Sequence, residues 1–329
     1  MNLICFDLEG PLAPQDSACE LMKLFPRGGK IFEVISRYDD LLTLEGRPDY
    51  EPGDTLALII PFLVQHGITD EQITAMGQKA KLTAGATLLI SKLESRGWYT
   101  FCISTSYEQY AFPITQRLVM RHENVACTSL PLVQIRQLLS RKESALLEQT
   151  ENEIVNLNPF ADDTRIKEYL DYFYWQKLPQ TRWGRIINQV KPIGGRRKVE
   201  ALENFSTRMG KPLSGWTVVG DSITDFKMLR AVNKSGGLAI AFNANEYALP
   251  YSTMGLASVS LYDLWIVLEA WEKGGREDVE RVVKEMEKAG GAKDRGWFQW
   301  LDGIGGVVPV LDIHKKIRRL ARQEAAELG

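Results

Sequence analysis

Residues 4–12 read ICFDLEGPL: an apolar run, then two carboxylates, Asp7 and Glu9, then Gly10 and Pro11. A short apolar run without polar alternation reads as a strand buried on both faces, as in a parallel sheet. Glycine and proline close it as a turn. Acids at the end of such a strand are either a polar turn or a reaction centre. The rest of the chain decides between the two.

Further runs share this character. LICFD ends at Asp7, WYTFCIS at Ser104, WTVVGD at Asp221 and GLAIAFN at Asn243, while NVACTS starts at residue 124. Helical patterns separate them, including ATLLISKLESRG and KVEALENFSTRMG, with Gly97 and Gly210 where C-caps belong. Strands alternating with helices predict an α/β fold around a parallel sheet. In open sheets of this kind ligands bind at the carboxyl ends of the strands, beside the topological switch point. That edge would gather Asp7, Glu9, Ser104, Asp221 and Asp225. Lys198 opens the helix that precedes WTVVGD, and Lys191 is its rival. A metal and a phosphate reconcile such charges. Mg²⁺ takes a few carboxylates together with water and phosphate oxygens. Serine and lysine donate to phosphate oxygens.

In order along the chain, DLEGPL, ISTS, the lysine of GGRRKVEAL and GDSITD resemble the four motifs of the haloacid dehalogenase-like (HAD) phosphohydrolase superfamily. The usual first motif is D-x-D-G-T/V-L. Here Glu9 replaces the second aspartate, a D-L-E-G variant that also occurs in the phosphoserine-phosphatase-like branch. The motifs span residues 7 to 225, and GLAIAFNANEYA extends the likeness to about residue 260. The resemblance implies a HAD-like, Rossmann-type three-layer α/β/α core. It implies that Asp7 is the nucleophile and forms an aspartyl-phosphate, and that Glu9 is the acid–base group. Mg²⁺ would be held by Asp7, the Glu9 carbonyl and Asp221. Asp225 would support the metal shell or orient Lys198. Ser104 and Lys198 would bind the phosphoryl group, with Thr105 and Ser106 able to stand in for Ser104.

The core is expected to comprise residues 1–12, 86–131 and 191–265. Residues 13–85 read as a helical cap, 132–190 as a second helical insert rich in aromatics, and 266–329 as a charged helical extension. Within the extension Trp297, Phe298 and Trp300 sit among glycines. Such a cluster is expected to bury itself against the core. Self-association into a homo-oligomer and a flap over the catalytic mouth are the alternatives.

The chain has 329 residues, 44% of them hydrophobic and 25% charged, with a net charge of -2. That balance gives no push towards nucleic acid. The longest apolar stretch, LALIIPFLV at 56–64, is too short for a bilayer and contains Pro61, so no membrane insertion is expected. No secretory signal is visible. Cys5, Cys19, Cys102 and Cys127 form no C-x-x-C pair, and the three histidines are scattered, which argues against zinc and for a reduced, cytoplasmic protein. The combined expectation is a Mg²⁺-dependent phosphomonoester hydrolase acting on a small phosphorylated substrate. A phosphotransferase using an acceptor alcohol and a non-catalytic accessory subunit of HAD fold remain as alternatives.

Overall fold

A computed structural model describes residues 1–138, 140–182, 184–289, 296–303 and 308–327. Seven strands form one sheet: β1 (Asn2–Asp7), β2 (Trp98–Tyr107), β3 (Val125–Thr128), β4 (Trp216–Gly220), β5 (Leu238–Phe242), β6 (Met254–Ala257) and β7 (Trp297–Trp300). Their order is β3-β2-β1-β4-β5-β6-β7. All pairs are parallel except β6 with β7. The five expected strands are present.

Strand β1 shows why its sequence lacks alternation. Ile4 and Phe6 belong to one hydrophobic core, and Leu3 and Cys5 to the other. Successive side chains point to opposite faces, and both faces are covered. On the second face Phe101 packs against Trp216 with ring centroids 4.9 Å apart. Chain order runs outward from β1 in both directions, through β2 on one side and β4 on the other, so the switch point lies at the end of β1. Asp7 stands opposite Ile103, and Phe6 opposite Val219. This register brings Ser104, Thr105 and Asp221 to the same edge as Asp7.

The two helical inserts pack on each other. The first contains helices Gly28–Glu45 and Thr55–Gln65; the second contains Arg141–Ile154 and Asp163–Tyr172. Arg37 forms a two-bond ion pair with Asp163, at 2.8 and 2.6 Å. Asp171 accepts from Tyr38 at 2.6 Å and from Arg47 at 2.9 Å. Tyr174 donates to the Leu58 carbonyl at 2.8 Å and stacks on Tyr38. Segments far apart in sequence thus make one helical layer over the sheet edge. Its loop at Glu51–Asp54 is tied to the core: Glu51 accepts from Lys227 at 2.7 Å and from the Arg196 amide at 2.9 Å, and Arg197 clamps Asp54.

The extension is helical on either side of the glycine-rich stretch, which contributes a strand. After helix Trp265–Lys288, kinked at Gly274 and Gly275, the chain adds β7 antiparallel to β6, with Phe298 opposite Leu256. Phe298 and Trp300 are buried, so the aromatic cluster does pack onto the core. Phe298 and Trp300 share one face of β7, while Gln299, on the other, is also buried and meets His314 at 3.0 Å. Residues 290–295 and 304–307 of that stretch lie outside the described residues. Helix Val308–Glu327 then crosses the end of the sheet. His314 lies fully buried on it, a packing histidine whose pKa burial lowers to about 3. All four cysteines are free, with Cys5 and Cys102 in the core. Among the described residues no helix is long and apolar enough to cross a membrane.

Candidate active site

The loop after β1 is tight. The Leu8 carbonyl accepts from Leu12 N at 3.1 Å and Ala13 N at 2.8 Å, and Gly10 N donates to the Ala13 carbonyl at 2.7 Å. Gly10 has φ +99°, and a Cβ there would stand 2.4 Å from Cγ of Asp221. Only glycine allows both the turn and the close approach of Asp221.

Lys198 sits in the first turn of helix Arg196–Met209 and is fully buried. Its Nζ lies 2.7 Å from Asp7 Oδ1 and 2.7 Å from Asp225 Oδ1. Lys191 lies elsewhere, on a separate cavity lined by Tyr50, Tyr174 and Trp175. The second oxygen of Asp225 accepts from the amides of Asp221 and Ser222, both at 3.0 Å, and from Ser222 Oγ at 3.3 Å. Both Asp225 oxygens are therefore engaged within the protein. Asp7, Asp221 and Asp225 present carboxylate oxygens within 4.8 Å of one another, all buried.

Three buried carboxylates face Lys198 and, from the C-terminal helix, Arg318 and Arg322, which the sequence did not reveal. Arg318, on the C-terminal helix, places Nη1 2.7 Å from Asp221 Oδ2. Burial drives Asp7 well above the usual carboxylate range, Asp225 adds to the rise, and Lys198 opposes it. Asp221 is also raised by burial, against the pull of Arg318. Burial disfavours the Lys198 charge, yet Asp225 and Asp7 outweigh it and hold the ammonium above its ordinary value. Acidic residues outnumber basic ones along the cleft, and an all-oxygen donor set suits a small hard cation. The residues present fit such an ion.

Glu9 turns away from Lys198. Its Oε1 accepts from Ser106 Oγ at 2.6 Å and from the Ser17 amide at 2.9 Å. Burial, then the nearby Asp16, push its pKa up, while Ser106 and Ser17 pull it down. Ser104 is fully buried and its Oγ accepts from the Ser106 amide at 3.0 Å. Thr105 instead lines the cleft beside Asp7, donating to the Ile193 carbonyl at 3.0 Å. The cleft holds about 300 Å³ and runs from Asp7 and Asp221 to Phe32, Asp39 and Asp40 of helix Gly28–Glu45 and to Arg322. Gly53 lines it as well, so close that a Cβ would come within 2.7 Å of Thr105 Cγ2.

No family model matches the sequence, and no curated protein matches it significantly. Solved structures do. Gene product AF1437 from Archaeoglobus fulgidus is similar over 98% of this chain and 98% of its own, with a TM-score of 0.85 and 26% identity. A phosphoserine phosphatase described as a phospho-aspartyl intermediate analogue aligns with 80% of this chain and 97% of its own, with a TM-score of 0.52 and 17% identity. A substrate-bound phosphoserine phosphatase complex gives 0.50 and 16% over 80% and 97%. These phosphatases are matched by about four-fifths of the chain, whereas AF1437 is matched along nearly all of it. The likeness is one of fold: the chain shares the α/β architecture of these phosphoserine phosphatases.

Proposed function

We propose that this protein is a Mg²⁺-dependent phosphomonoester hydrolase that acts through an aspartyl-phosphate on Asp7, with a small phosphorylated metabolite as substrate. The observation that carries this reading is the buried Lys198 bridge between Asp7 and Asp225, with Asp221 within reach of both, at the switch point of the sheet. A lone carboxylate nucleophile would repel a phosphoryl dianion. Lys198 offsets that repulsion and holds Asp7 in line for attack. Asp7, Asp221 and the Glu9 carbonyl would hold Mg²⁺, which, when bound, neutralises charge on the transferring oxygens.

The steps balance. An oxygen of Asp7 bonds to phosphorus as the ester oxygen leaves, and that oxygen takes the proton carried by Glu9. Burial raises the Glu9 carboxyl above its ordinary value, the direction a general acid requires. Ionised Glu9 then takes a proton from water, whose oxygen displaces Asp7 and releases phosphate. Thr105 lines the cleft wall, where its hydroxyl would leave the Ile193 carbonyl to donate to a phosphoryl oxygen, while Ser104 Oγ is held by the Ser106 amide. The phosphoserine phosphatase that shares the fold is described as a phospho-aspartyl intermediate analogue, which supports the covalent step.

The test is hydrolysis of a generic phosphomonoester with and without Mg²⁺, in wild type and Asp7→Asn. Wild type is expected to yield an acid-stable, hydroxylamine-sensitive phospho-adduct mapping to Asp7, and the variant neither adduct nor phosphate. Full activity in Asp7→Asn rules out the mechanism. Product analysis with added alcohols separates hydrolysis from transfer to an acceptor.

A further inference from the structure

The C-terminal helix reaches the site through one side chain. Besides its ion pair to Asp221 Oδ2, Arg318 Nη1 donates to the Asp221 carbonyl at 2.9 Å and the Asn243 carbonyl at 3.4 Å. These carbonyls lie just beyond the ends of β4 and β5. Arg318 is not the only described anchor of the helix. One turn earlier, His314 Nδ1 accepts from the Ala244 amide at 2.9 Å, and its Nε2 meets Gln299 Oε1 of β7 at 3.0 Å. Lys315 adds a contact to Glu246 at 3.2 Å. With that register set, Arg318 arrives on one side of the Asp221 carboxylate while Gly10 presses on it closely from the β1 loop.

We propose that Arg318 is a positioning residue of the cation site: it fixes the Asp221 carboxylate and the ends of β4 and β5, so that docking of the C-terminal helix and cation binding support each other. The inference rests on the phosphatase reading above. Two of the three acceptors around Nη1 are backbone carbonyls that an entering cation has no reason to displace. This favours a permanent strut over a latch that occupies the cation's place. Removing Arg318 frees the Asp221 charge for the cation but loses the ordering of the ligand, and on this reading the lost ordering outweighs the freed charge. Linkage then requires the reciprocal effect, a helix held more tightly when the cation is bound.

The experiment is calorimetric titration of Mg²⁺ without substrate into wild type, Arg318→Met and Arg318→Lys, with near-ultraviolet circular dichroism to show that each is folded. Arg318→Met is expected to bind Mg²⁺ about 10–100-fold more weakly, with Arg318→Lys between it and wild type. In wild type alone, Mg²⁺ is expected to slow amide hydrogen exchange across helix Val308–Glu327. Unchanged or tighter binding by Arg318→Met, or exchange indifferent to Mg²⁺, overturns the proposal and leaves the phosphatase reading standing. A wild type that binds no Mg²⁺ overturns both.

Discussion

Lys198 Nζ lies 2.7 Å from Asp7 Oδ1, with no solvent-exposed surface on the lysine. An ion pair this deep is tolerated because the lysine also satisfies Asp225 and because the carboxylates outnumber it. Removing the lysine leaves Asp7 and Asp225 buried without their common counter-charge. Lys198→Met is therefore expected to lower stability by about 3–5 kcal/mol and to abolish turnover. Added Mg²⁺ should restore part of the melting temperature by supplying the missing charge. A variant that melts like wild type without Mg²⁺ contradicts this account.

Glu9 and Asp221 are expected to fail differently. The Glu9 side chain is bonded to Ser106 and Ser17, away from the Lys198 bridge. Glu9→Gln retains an oxygen for both donors, so it should lose about 10²–10⁴ in rate with Mg²⁺ affinity kept. Asp221→Asn should lose Mg²⁺ affinity first. Parallel Mg²⁺ titrations of the two variants decide, and equal loss of affinity would refute the division of roles.

Asp39, on the cap side of the cleft, has its pKa pushed up to about 7 by burial, against the hydrogen bonds from Tyr50 and Thr55. The folded protein therefore binds a proton at Asp39 more tightly than the unfolded chain. Between about pH 4, its ordinary value, and pH 7 this group makes stability fall as pH rises. Asp39→Asn should flatten that slope and melt higher than wild type at pH 8. Melting curves from pH 4 to 8 test it, and an identical pH profile in the variant contradicts it.

The edge strand β7 should carry stability, not catalysis. Trp300 and Phe298 are each almost fully buried, and Trp297 half-buried. Trp300→Ala is expected to cost about 3–5 kcal/mol in urea unfolding, with KM unchanged in whatever fraction stays folded. An unaltered urea midpoint combined with a change of oligomeric state would instead make this strand an interface.

The sheet and its charged edge could be read in the sequence because β1, β2, β4 and β5 are buried on both faces. Their runs are continuous, and each ends in polar residues. Strand β6 escaped because MGLA is four residues with no pattern of its own. WFQW is as short, and glycine and charge surround it. Arg318 had no distinguishing signal, for arginine on a charged amphipathic helix looks like a solvated face until the helix is docked. Which hydroxyl of residues 104–106 faces the cleft depends on the contact of the Ser106 amide with Ser104 Oγ near the end of β2, which no local pattern encodes. Nor could the meeting of the two inserts be foreseen. Arg37 with Asp163 and Tyr38 with Asp171 are pairings of tertiary structure that no local pattern encodes.

That joint helical layer sets an order of events during synthesis. Helix Gly28–Glu45 is made early, but the surface it offers to Asp163–Tyr172 stays wet until more than a hundred further residues have been added. The nascent chain must carry that surface, with the β1 edge awaiting β4, past the point where a smaller domain would already have closed. Long-range closure of this kind slows folding and exposes apolar surface meanwhile. The arrangement that roofs the cleft in the finished protein thus makes the first half of the chain the part most in need of protection while it is being made.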